Sequence, residues 1–489
     1  MGRVAMTMQG QPEARSKIVV IDDDPTGSQT LHSCPLLLRW DVATLRRGLR
    51  HPSPLMFVLA NTRALAAAEA AQRNREIVAA LVEAMACESF PPEQLQLVSR
   101  GDSTLRGHGV LEPAVLAEEW QRRFGPVAAT LHVPAFLPGG RTTVHGVHYL
   151  HGAPVHTTPF ARDRLFGFST SDLAVWLQEK SGGAIAAATV ARLDLQRLDA
   201  AAAALDGGDA SGLEELVAWL DALQDNRPVV VDATQPQHLL VLGDALRSLQ
   251  GRRRFLFRSA ASLLNGLADA GPLPPGAQPL DAHGLAELRR SRAGVPLPGL
   301  VLVGSHVPLA DQQLQPFLQR TDCCAVEVPV ARLARVLEGG HHPWLLPDLE
   351  REWRDQLQAA LAEGRTPVLY TSRGELSFGE GEAAAARRLR FGMALARVMA
   401  RLVASLAPQL GYVISKGGIT TGTLLAEGLA LPAVHLEGQL LPGLSLVRPM
   451  AEDSGASPDG LPILTFPGNL GDAGTLLQAW RLMQAGVAR

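Results

Sequence analysis

The sequence predicts an α/β protein of two domains, each a mainly parallel sheet flanked by helices, with a ligand cleft between them. Short apolar runs that end in small and polar residues alternate with helical stretches, as in doubly wound parallel sheets. A stretch rich in proline and glycine divides the chain beyond its middle. The length of 489 residues also favours more than one hydrophobic core.

Seven apolar runs have the composition of strands buried on both faces, because they lack the alternation of a half-exposed strand. In chain order they are Lys17–Ile21, Leu55–Leu59, Leu95–Val98, Val229–Val231, Val301–Val303, Val368–Tyr370 and Tyr412–Ile414. Small and polar residues follow each run. Ligands of open parallel sheets bind beyond the carboxyl ends of the strands, so these polar clusters are the candidate binding loops.

Helices are predicted between the runs. Residues Ala64–Ala86 and Ala384–Leu406 place leucine, valine and alanine at helical spacing, with charges on the opposite face. The stretch Gly266–Gly299 is rich in proline and glycine and has room for one short helix. We therefore predict a first domain over residues 1–270, a linker over 271–299 and a second domain over 300–489.

The composition excludes several classes of protein. A net charge of -3 and a pI near 6.5 give nucleic acid no basic face. The four cysteines lack metal-ligand spacing, and the adjacent Cys323 and Cys324 are poorly placed for a disulfide. No stretch approaches the roughly 20 apolar residues of a membrane span, and residues 1–17 lack the apolar region of a signal peptide. We expect a cytoplasmic protein with small-molecule ligands, and the sequence leaves a homodimer open.

Three consecutive carboxylates, Asp22, Asp23 and Asp24, follow the first apolar run in the motif DDDPTG. Like charges this close are costly unless a cation or a hydrogen-bond donor satisfies them. A metal ion, a substrate hydroxyl or a general-base role would each do so. An acidic turn that caps the next helix is the structural alternative. The position at the end of a buried strand favours a function.

The segment Ser99–Gly107, SRGDSTLRG, combines two arginines with a carboxylate and two hydroxyls. Arg106 can hold a carboxylate through two parallel hydrogen bonds, while Asp102 and Ser103 can bind the oxygens of a polyol. On composition alone, a surface salt-bridge loop explains the segment equally well.

Two weaker clusters, Asn61–Arg63 and Gly140–Thr143, each place an arginine beside hydroxyls in a strand-end loop. Neither cluster is diagnostic alone. Together with Asp22, the side chains of Arg63 and Arg141 complete the predicted substrate site.

Three glycine-bearing loops follow strands in the second half, at Gly304–His306, Ser415–Thr423 and Pro467–Asp472. Small residues let backbone N–H groups approach a phosphate, and Lys416 adds positive charge. The GxxxxGK[ST] sequence of a P-loop is absent, and so is a strand-end GxGxxG, which counts against a dinucleotide dehydrogenase. Each loop is a weak signal, but three in one domain favour a phosphate-bearing ligand.

Histidines recur at every third position as His145, His148 and His151. They would share one face, and so could gather around a metal ion, only in a helix. The neighbouring glycines and Tyr149 favour a turn or an extended segment instead. One of these histidines in contact with substrate is the better hypothesis.

Taken together, these motifs resemble the four-carbon acid sugar kinase family. DDPTG, SRGDSTLRG and GRTTVHG are similar to the family's substrate domain, and GSH, SKGGIT and PGNLG to its nucleotide-binding domain, in the family's order. The resemblance implies phosphoryl transfer from ATP, with Mg²⁺, to a tetronate or 3-oxo-tetronate. Three departures leave the substrate open: Ile419 where an acidic residue is frequent, Phe466 where a lysine is common, and DDPTGSQT in place of DDLTGA.

The resemblance also implies roles for individual residues. Asp23 and Asp24 correspond to paired aspartates, one of which would accept the proton of the attacking hydroxyl. Asp102, Ser103 and Arg106 correspond to the family's substrate loop. The implied nucleotide contacts, with a lysine added for its charge, are Ser305, Lys416, Gly417, Gly418, Ile419, Thr420 and Gly468. The ligands of Mg²⁺ are left open.

Three other functions stay open at this point. The acceptor of a related kinase can be a branched or longer sugar acid, such as 3-oxo-isoapionate. A non-catalytic sugar-acid sensor with bound nucleotide would keep the binding loops but would not need the acidic cluster. A metal-dependent aldolase or dehydratase could use the aspartates and histidines but would not need three glycine loops.

Overall fold

The computed structural model describes residues 16–24, 31–203, 207, 209–268, 280–338, 344–374, 378–379, 382–450 and 460–485. Within these ranges the β-strands are β1 Lys17–Asp22, β2 Cys34–Leu37, β3 Leu55–Leu59, β4 Leu95–Arg100, β5 Ala129–Val133, β6 Arg141–Val144, β7 Val147–Leu150, β8 Ala153–Pro154, β9 Ala191–Leu193, β10 Arg227–Val231, β11 Phe255–Ser259, β12 Ser291–Arg292, β13 Val295–Pro296, β14 Gly299–Val303, β15 Cys323–Val328, β16 Thr366–Thr371, β17 Tyr412–Lys416, β18 Ala433–Leu441, β19 Leu444–Pro449 and β20 Ile463–Phe466. The α-helices are α1 Val42–Arg50, α2 Ala67–Glu88, α3 Leu111–Phe124, α4 Leu173–Lys180, α5 Leu195–Ala202, α6 Ser211–Asp221, α7 Pro236–Ser248, α8 Ala261–Ala268, α9 Ala282–Glu287, α10 Pro308–Leu318, α11 Val330–Glu338, α12 Leu345–Ala362, α13 Glu382–Leu406, α14 Gly418–Thr423 and α15 Thr475–Ala485.

Fifteen of the described strands form one continuous sheet in the order β15-β16-β14-β17-β20-β19-β18-β2-β3-β1-β4-β11-β5-β10-β9. The strands from β2 to β9 in this order are parallel to one another. A second parallel group contains β15, β16, β14, β17 and β20. Antiparallel pairing through β19 and β18 joins the groups, which therefore run in opposite directions. The predicted α/β fold with mainly parallel strands and flanking helices is confirmed.

The two halves share this sheet through one short ladder. β2 pairs with β18, from Cys34 opposite Leu436 to Leu37 opposite Ala433. Without this pairing, each strand would expose a row of unpaired N–H and C=O groups at a sheet edge. The ladder thus joins two groups of strands that the sequence predicted as separate sheets.

Every predicted strand is present within a few residues of its predicted limits, and α2 and α13 confirm the two predicted helices. Side chains of β1 enter a core on each face of the sheet. Ile18 and Val20 pack in one core, and Val19 and Ile21 pack in the other. Burial on both faces explains the continuous apolar sequence of this strand.

Part of the predicted linker, residues 271–279, lies outside the described residues. The remainder contains α9 and the antiparallel pair β12–β13, and the domain limits remain a prediction. Among the described helices, the stretch Arg387–Gln409 has the length and apolar composition of a membrane span, and 56% of it is buried inside the protein. A core helix of a globular protein has the same composition.

A small antiparallel sheet of β6, β7 and β8 carries the three recurring histidines. His148 lies in β7, while His145 and His151 lie in turns at φ angles of +51° and +49°. The prediction of a turn or extended segment is therefore confirmed. Among the described residues, no group of three or more His, Cys, Asp or Glu side chains is placed to hold a metal ion.

Candidate active site

The three consecutive carboxylates lie at the carboxyl end of β1, where two arginines meet them. Arg63, which follows β3, donates from Nη2 to Asp23 Oδ1 at 2.6 Å and from Nη1 to Asp24 Oδ2 at 3.1 Å. Arg100, at the end of β4, donates to Asp22 Oδ1 at 3.3 Å. The position of β1 between β3 and β4 brings both arginines to the cluster. The rest of the motif, Pro25-Thr26-Gly27, lies outside the described residues.

The carboxylates of this cluster differ in their exposure. The side chains of Asp22 and Asp23 are 2% and 1% exposed, whereas that of Asp24 is 23% exposed. Burial raises the pKa of Asp22 from 3.8 to about 7; Arg100 opposes this rise, and the neighbouring aspartates add to it. Asp24 is therefore the carboxylate that solvent and a substrate can reach most easily.

A second buried group of charges lies behind the carboxylates. Arg258, in β11, donates from Nη1 to Glu112 Oε2 at 2.5 Å and to Ser99 Oγ at 2.8 Å. Its Nη2 lies 3.7 Å from Asp23 Oδ2. Residue 101 must be small here, because a Cβ on Gly101 would lie 2.0 Å from the Arg258 guanidinium. Arg258 thus links Asp23 of the acidic cluster with Ser99 of β4 and Glu112 of α3.

The segment SRGDSTLRG holds an internal ion pair. Arg106 Nε donates to Asp102 Oδ2 at 2.7 Å, and the hydroxyl of Thr104 donates to the same oxygen. Burial alone would raise the pKa of Asp102, but Arg63 and Arg106 hold it below its ordinary value. The Arg106 guanidinium also lies over the ring of Phe160, 4.8 Å from its centre. Its remaining N–H groups are those that could bind a ligand.

The small sheet supports this segment from outside. His148 is fully buried, with Nε2 2.8 Å from Ser103 O and Nδ1 2.9 Å from Thr143 Oγ1. Burial lowers the pKa of His148 to about 4, so the neutral ring donates from Nε2 and accepts at Nδ1. Arg141 lies close enough to Asp102 for the carboxylate to oppose the lowering of its pKa by burial. Both ring nitrogens therefore have hydrogen-bond partners, through which this histidine fixes the loop.

In the C-terminal half, the three glycine loops converge on Ser305. A Cβ on Gly468 would lie 2.5 Å from Ser305 Oγ, and one on Gly417 would lie 3.2 Å from Ser305 N. A Cβ on Gly304 would lie 2.0 Å from Thr420 Oγ1. The absence of side chains at these positions allows three backbone segments to meet, as a phosphate cradle requires.

Lys416 is fully buried at the end of β17. Its Nζ donates to Pro467 O at 3.1 Å and lies 4.0 Å from the centre of the Phe466 ring. Burial lowers the pKa of Lys416 to about 7, and the charge of Arg373 lowers it further. The lysine contacts the third glycine loop, so it is placed to respond to charge bound there.

An apolar pocket opens beside the glycine loops. It encloses about 850 Å³, counting its open mouth, and its walls include Phe378, Phe391, Leu395 and Met399. Gly304, Ile419 and Thr420 form the side nearest the loops. Ile419 is 41% exposed. The pocket thus offers an apolar surface next to a polar cradle.

The predicted site residues therefore form two groups. Asp22, Asp23, Asp24, Arg63, Asp102, Ser103, Arg106 and Arg141 surround the strand ends of the N-terminal half, and Ser305, Lys416, Gly417, Gly418, Ile419, Thr420 and Gly468 those of the C-terminal half. Because the two parallel groups run in opposite directions, the carboxyl ends of β1 and β20 lie at opposite edges of the sheet, and five strand spacings, about 24 Å at about 4.8 Å each, also separate the two strands.

Several residues of these groups were missed by sequence reasoning. Arg258 follows the apolar run Phe255–Phe257, which is as strand-like as the seven runs that were recognised. Arg373, which donates to Ser305 O at 2.7 Å, lies among the small and polar residues that follow the predicted run Val368–Tyr370. The sequence around Glu112 does not indicate a site, because the residue lies in a helix. Its contact with Arg258 arises only when the chain is folded.

The fold and the two sites define the class of protein: an α/β protein with a carboxylate–arginine site in one half and a glycine-loop cradle in the other. Residues 18–267 match the family model described as a sugar-binding N-terminal domain, and residues 300–476 match a nucleotide-binding C-terminal domain. The chain belongs to the four-carbon acid sugar kinase family.

Two curated relatives cover most of the chain. A D-threonate kinase of Cupriavidus necator is 29% identical over 434 residues, 86% of each chain. A 3-oxo-tetronate kinase of Pectobacterium atrosepticum is 23% identical over 446 residues, 88% of this chain and 92% of the relative.

Solved structures share the fold at low sequence identity. A Salmonella typhimurium LT2 protein, described provisionally as a tRNA synthase, has a TM-score of 0.63 at 18% identity over 96% of this chain and 99% of its own. The Haemophilus influenzae protein HI1011, of the DUF1537 family, has a TM-score of 0.59 at 16% identity over 95% and 100% of the two chains. At these identities the likeness concerns the fold alone.

Proposed function

We propose that the protein is an ATP-dependent kinase that phosphorylates a hydroxyl of a small sugar acid of the tetronate or 3-oxo-tetronate type. The observation that carries the proposal is the convergence of three glycine loops on Ser305, beside an apolar pocket, in a chain whose other half carries a carboxylate–arginine site. The names of the two curated relatives support the same class of acceptor. The proposed enzyme acts in the cytoplasm, and its assembly as a homodimer is part of the proposal.

The N-terminal site would bind the acceptor. The Nη1 and Nη2 groups of Arg106, which have no hydrogen-bond partner among the described residues, suit the carboxylate of the acid, and Asp102 and Ser103 suit its hydroxyls. Asp24 would accept the proton of the attacking hydroxyl, because it is the most exposed carboxylate of the cluster. Asp23 is buried against Arg63 and would hold that arginine in place.

The C-terminal site would bind the donor. The apolar pocket suits a nucleoside, and the backbone N–H groups around Ser305 suit its phosphates. The hydroxyls of Ser305 and Thr420 fit Mg²⁺, which prefers oxygen ligands and shares them with substrate phosphates. Asp22, Asp23 and Asp24 fit the ion less well, because arginines already pair with them. A bound Mg²⁺ would neutralise charge on the phosphates.

Transfer requires the donor and the acceptor to meet, so one half must rotate relative to the other, because their strand ends lie at opposite edges of the sheet. Among the described strands, the β2–β18 ladder joins the two halves within the sheet, and the predicted linker joins them along the chain. We place the movement at these two connections. Closure would also exclude water, so that ATP is not simply hydrolysed.

The test is a coupled ADP-release assay with ATP, Mg²⁺ and a panel of tetronates, oxo-tetronates and branched sugar acids. We expect ADP release that depends on one class of acid, with a phosphate ester of that acid as the product by ³¹P NMR. Tight binding of acid and ATP with no ADP release would identify a sensor instead. Turnover of an acid without ATP would identify an aldolase or a dehydratase.

A further inference from the structure

A groove lies at the amino ends of four neighbouring parallel strands, β4, β11, β5 and β10. It encloses about 880 Å³, counting its open mouth, and the turn before each strand forms part of its wall. In chain order its lining residues are Glu93, Pro126–Ala128, Gln224, Asp225 and Gly251–Arg254. None of them belongs to either group of predicted site residues.

The groove is distant from both proposed sites. The five steps of β4 from Leu95 to Arg100 rise about 3.3 Å each, so about 17 Å separate the groove from the arginine of the acceptor site. The glycine loops lie at the same edge of the sheet as the groove. Six strand spacings separate β4 from β20, however, which is about 29 Å at about 4.8 Å each. A ligand in the groove would therefore leave both sites free.

Three consecutive arginines, Arg252, Arg253 and Arg254, line one side of the groove. The carboxylate of Asp221 accepts from Arg252 Nη2 at 3.0 Å and from Arg253 Nε at 2.7 Å. Arg254 donates from Nη1 to the carbonyl oxygen of Phe124. The other N–H groups of these arginines have no hydrogen-bond partner among the described residues. The guanidinium groups are thus held in place with N–H groups left to bind an anion.

A narrower, largely apolar recess adjoins the groove. The two share four lining residues, which are Glu93, Val127, Arg253 and Arg254. Two buried polar atoms of the recess, Arg254 Nε and Gln96 Oε1, have no hydrogen-bond partner among the described residues. An unpaired polar atom in a protein interior is unfavourable. A hydroxyl group can accept from the arginine and donate to the glutamine, so it would satisfy both atoms.

The charges of the groove are mixed. The carboxylates of Glu93 and Asp225 line it together with the three arginines. The phosphate of a monoester offers three oxygens to guanidinium groups, and hydroxyls on the same molecule donate to carboxylates. An anion without hydroxyls would leave the two carboxylates facing it. The combination therefore favours a ligand that carries both a phosphate and several hydroxyls.

We propose that this groove is a further ligand site, which binds the phosphate ester of a small polyol. The arginine N–H groups hold the phosphate at the mouth, and Glu93 and Asp225 accept hydrogen bonds from the hydroxyls. Gln96 and Arg254 pair with the hydroxyl that reaches the inner recess. This inference is independent of the proposed function, because neither the donor site nor the acceptor site takes part in it.

Titration calorimetry with glycerol 3-phosphate tests this site in the full chain. Saturating ADP and Mg²⁺ are present throughout, so that the proposed donor site is occupied. We expect Arg252→Gln and Arg253→Gln each to weaken binding by about tenfold or more, because each removes hydrogen bonds between a guanidinium and a dianion. Glycerol, which lacks the phosphate, should not bind.

Arg351→Gln is the matched control. Arg351 is 66% exposed and pairs with Asp348 at 2.9 Å, much as Arg252 is 61% exposed and pairs with Asp221 at 3.0 Å. Because Arg351 lies in α12 of the C-terminal half, its loss should leave affinity for the ester unchanged. A similar loss of affinity in this control would show only an effect of net charge and would overturn the site.

Gln96→Met tests the inner recess, because methionine has nearly the length of glutamine but accepts only weak hydrogen bonds. The wild type should bind glycerol 3-phosphate about fivefold more tightly than methyl phosphate, which carries no alcohol group. This preference should disappear in the variant. A ratio of affinities measured on one preparation does not depend on how much of the protein folds. No binding of the ester at millimolar concentrations, wild-type affinity in both arginine variants, or an unchanged preference in Gln96→Met would overturn the proposal.

Discussion

Arg63 Nη2 lies 2.6 Å from Asp23 Oδ1, so that an arginine after β3 neutralises a buried carboxylate at the end of β1. Removal of the arginine leaves this carboxylate without its nearest partner. Breaking a buried ion pair in this way typically costs 3–5 kcal/mol. For Arg63→Met we expect about 3 kcal/mol, because Arg258 at 3.7 Å still faces Asp23. Urea unfolding followed by circular dichroism measures the loss.

The control for this prediction is Arg192→Met. Arg192 pairs with Asp172 at 2.9 Å, but both side chains are partly open to solvent, at 42% and 30% exposed. Exposed pairs contribute up to about 1 kcal/mol. Equal losses in the two variants would show that the Arg63–Asp23 pair has no special structural role.

Asp24→Asn tests the proposed general base. An amide cannot accept the proton of the attacking hydroxyl, so kcat should fall about 10²- to 10⁴-fold. Affinity for ATP should stay close to that of the wild type, because the proposed nucleotide contacts lie in the other half. Steady-state kinetics and calorimetry measure the two quantities, with the exposed Asp355→Asn as the control. Turnover within a few-fold of wild type would contradict the assignment.

The pKa of Asp22 predicts a dependence of stability on pH. The folded protein holds this proton up to about pH 7, whereas the unfolded chain releases it near pH 3.8. Asp22 therefore contributes stability below about pH 4, and that contribution is lost as the pH rises to about 7. Asn cannot titrate, so the variant Asp22→Asn should not lose this stability. As the pH rises from 5 to 8, its free energy of unfolding should increase by about 2 kcal/mol relative to that of the wild type. Urea unfolding at the two pH values measures the change, and an identical pH dependence in both proteins would contradict it.

Gly304→Ala tests the cradle around Ser305. The added methyl group would lie 2.0 Å from Thr420 Oγ1, so the two loops must separate. We expect affinity for ADP to fall at least tenfold, as measured by calorimetry. In Gly474→Ala the nearest atom lies at an ordinary contact distance of 3.5 Å, so this control should bind ADP normally. Wild-type affinity in the Gly304 variant would show that the loops bind no phosphate.

The sequence predicted those parts of the fold and sites that depend on local pattern. Asp23 and Arg63 each follow a continuous apolar run within four residues, so their approach follows once the two runs form neighbouring parallel strands. Arg258 and Glu112 are 146 residues apart, and their contact depends on the position of β11 beside β4. The β2–β18 ladder also escaped prediction, because β2 is only four residues long.

Lys416 gives a prediction about the donor site that is independent of turnover. Its pKa of about 7 means that Lys416 is neutral in most molecules at pH 8 before nucleotide binds. Phosphates in the cradle would favour the charged form, so ADP binding at pH 8 should take up nearly one proton. Titration calorimetry in two buffers with different ionisation enthalpies measures this uptake directly. At pH 6 the lysine is already charged, so its contribution should nearly vanish.

Lys416→Met is the matched variant, because it keeps most of the buried side chain but cannot be protonated. Proton uptake at pH 8 should disappear in this variant, and any uptake that both proteins share belongs to ADP itself. Above pH 7, the affinity of the wild type for ADP should fall by up to about tenfold per pH unit. The reason is that binding takes up one proton, and the proton concentration falls tenfold per unit. The variant should lack this fall. Equal uptake in both proteins would mean that the nucleotide phosphates lie too far from Lys416 Nζ to change its pKa.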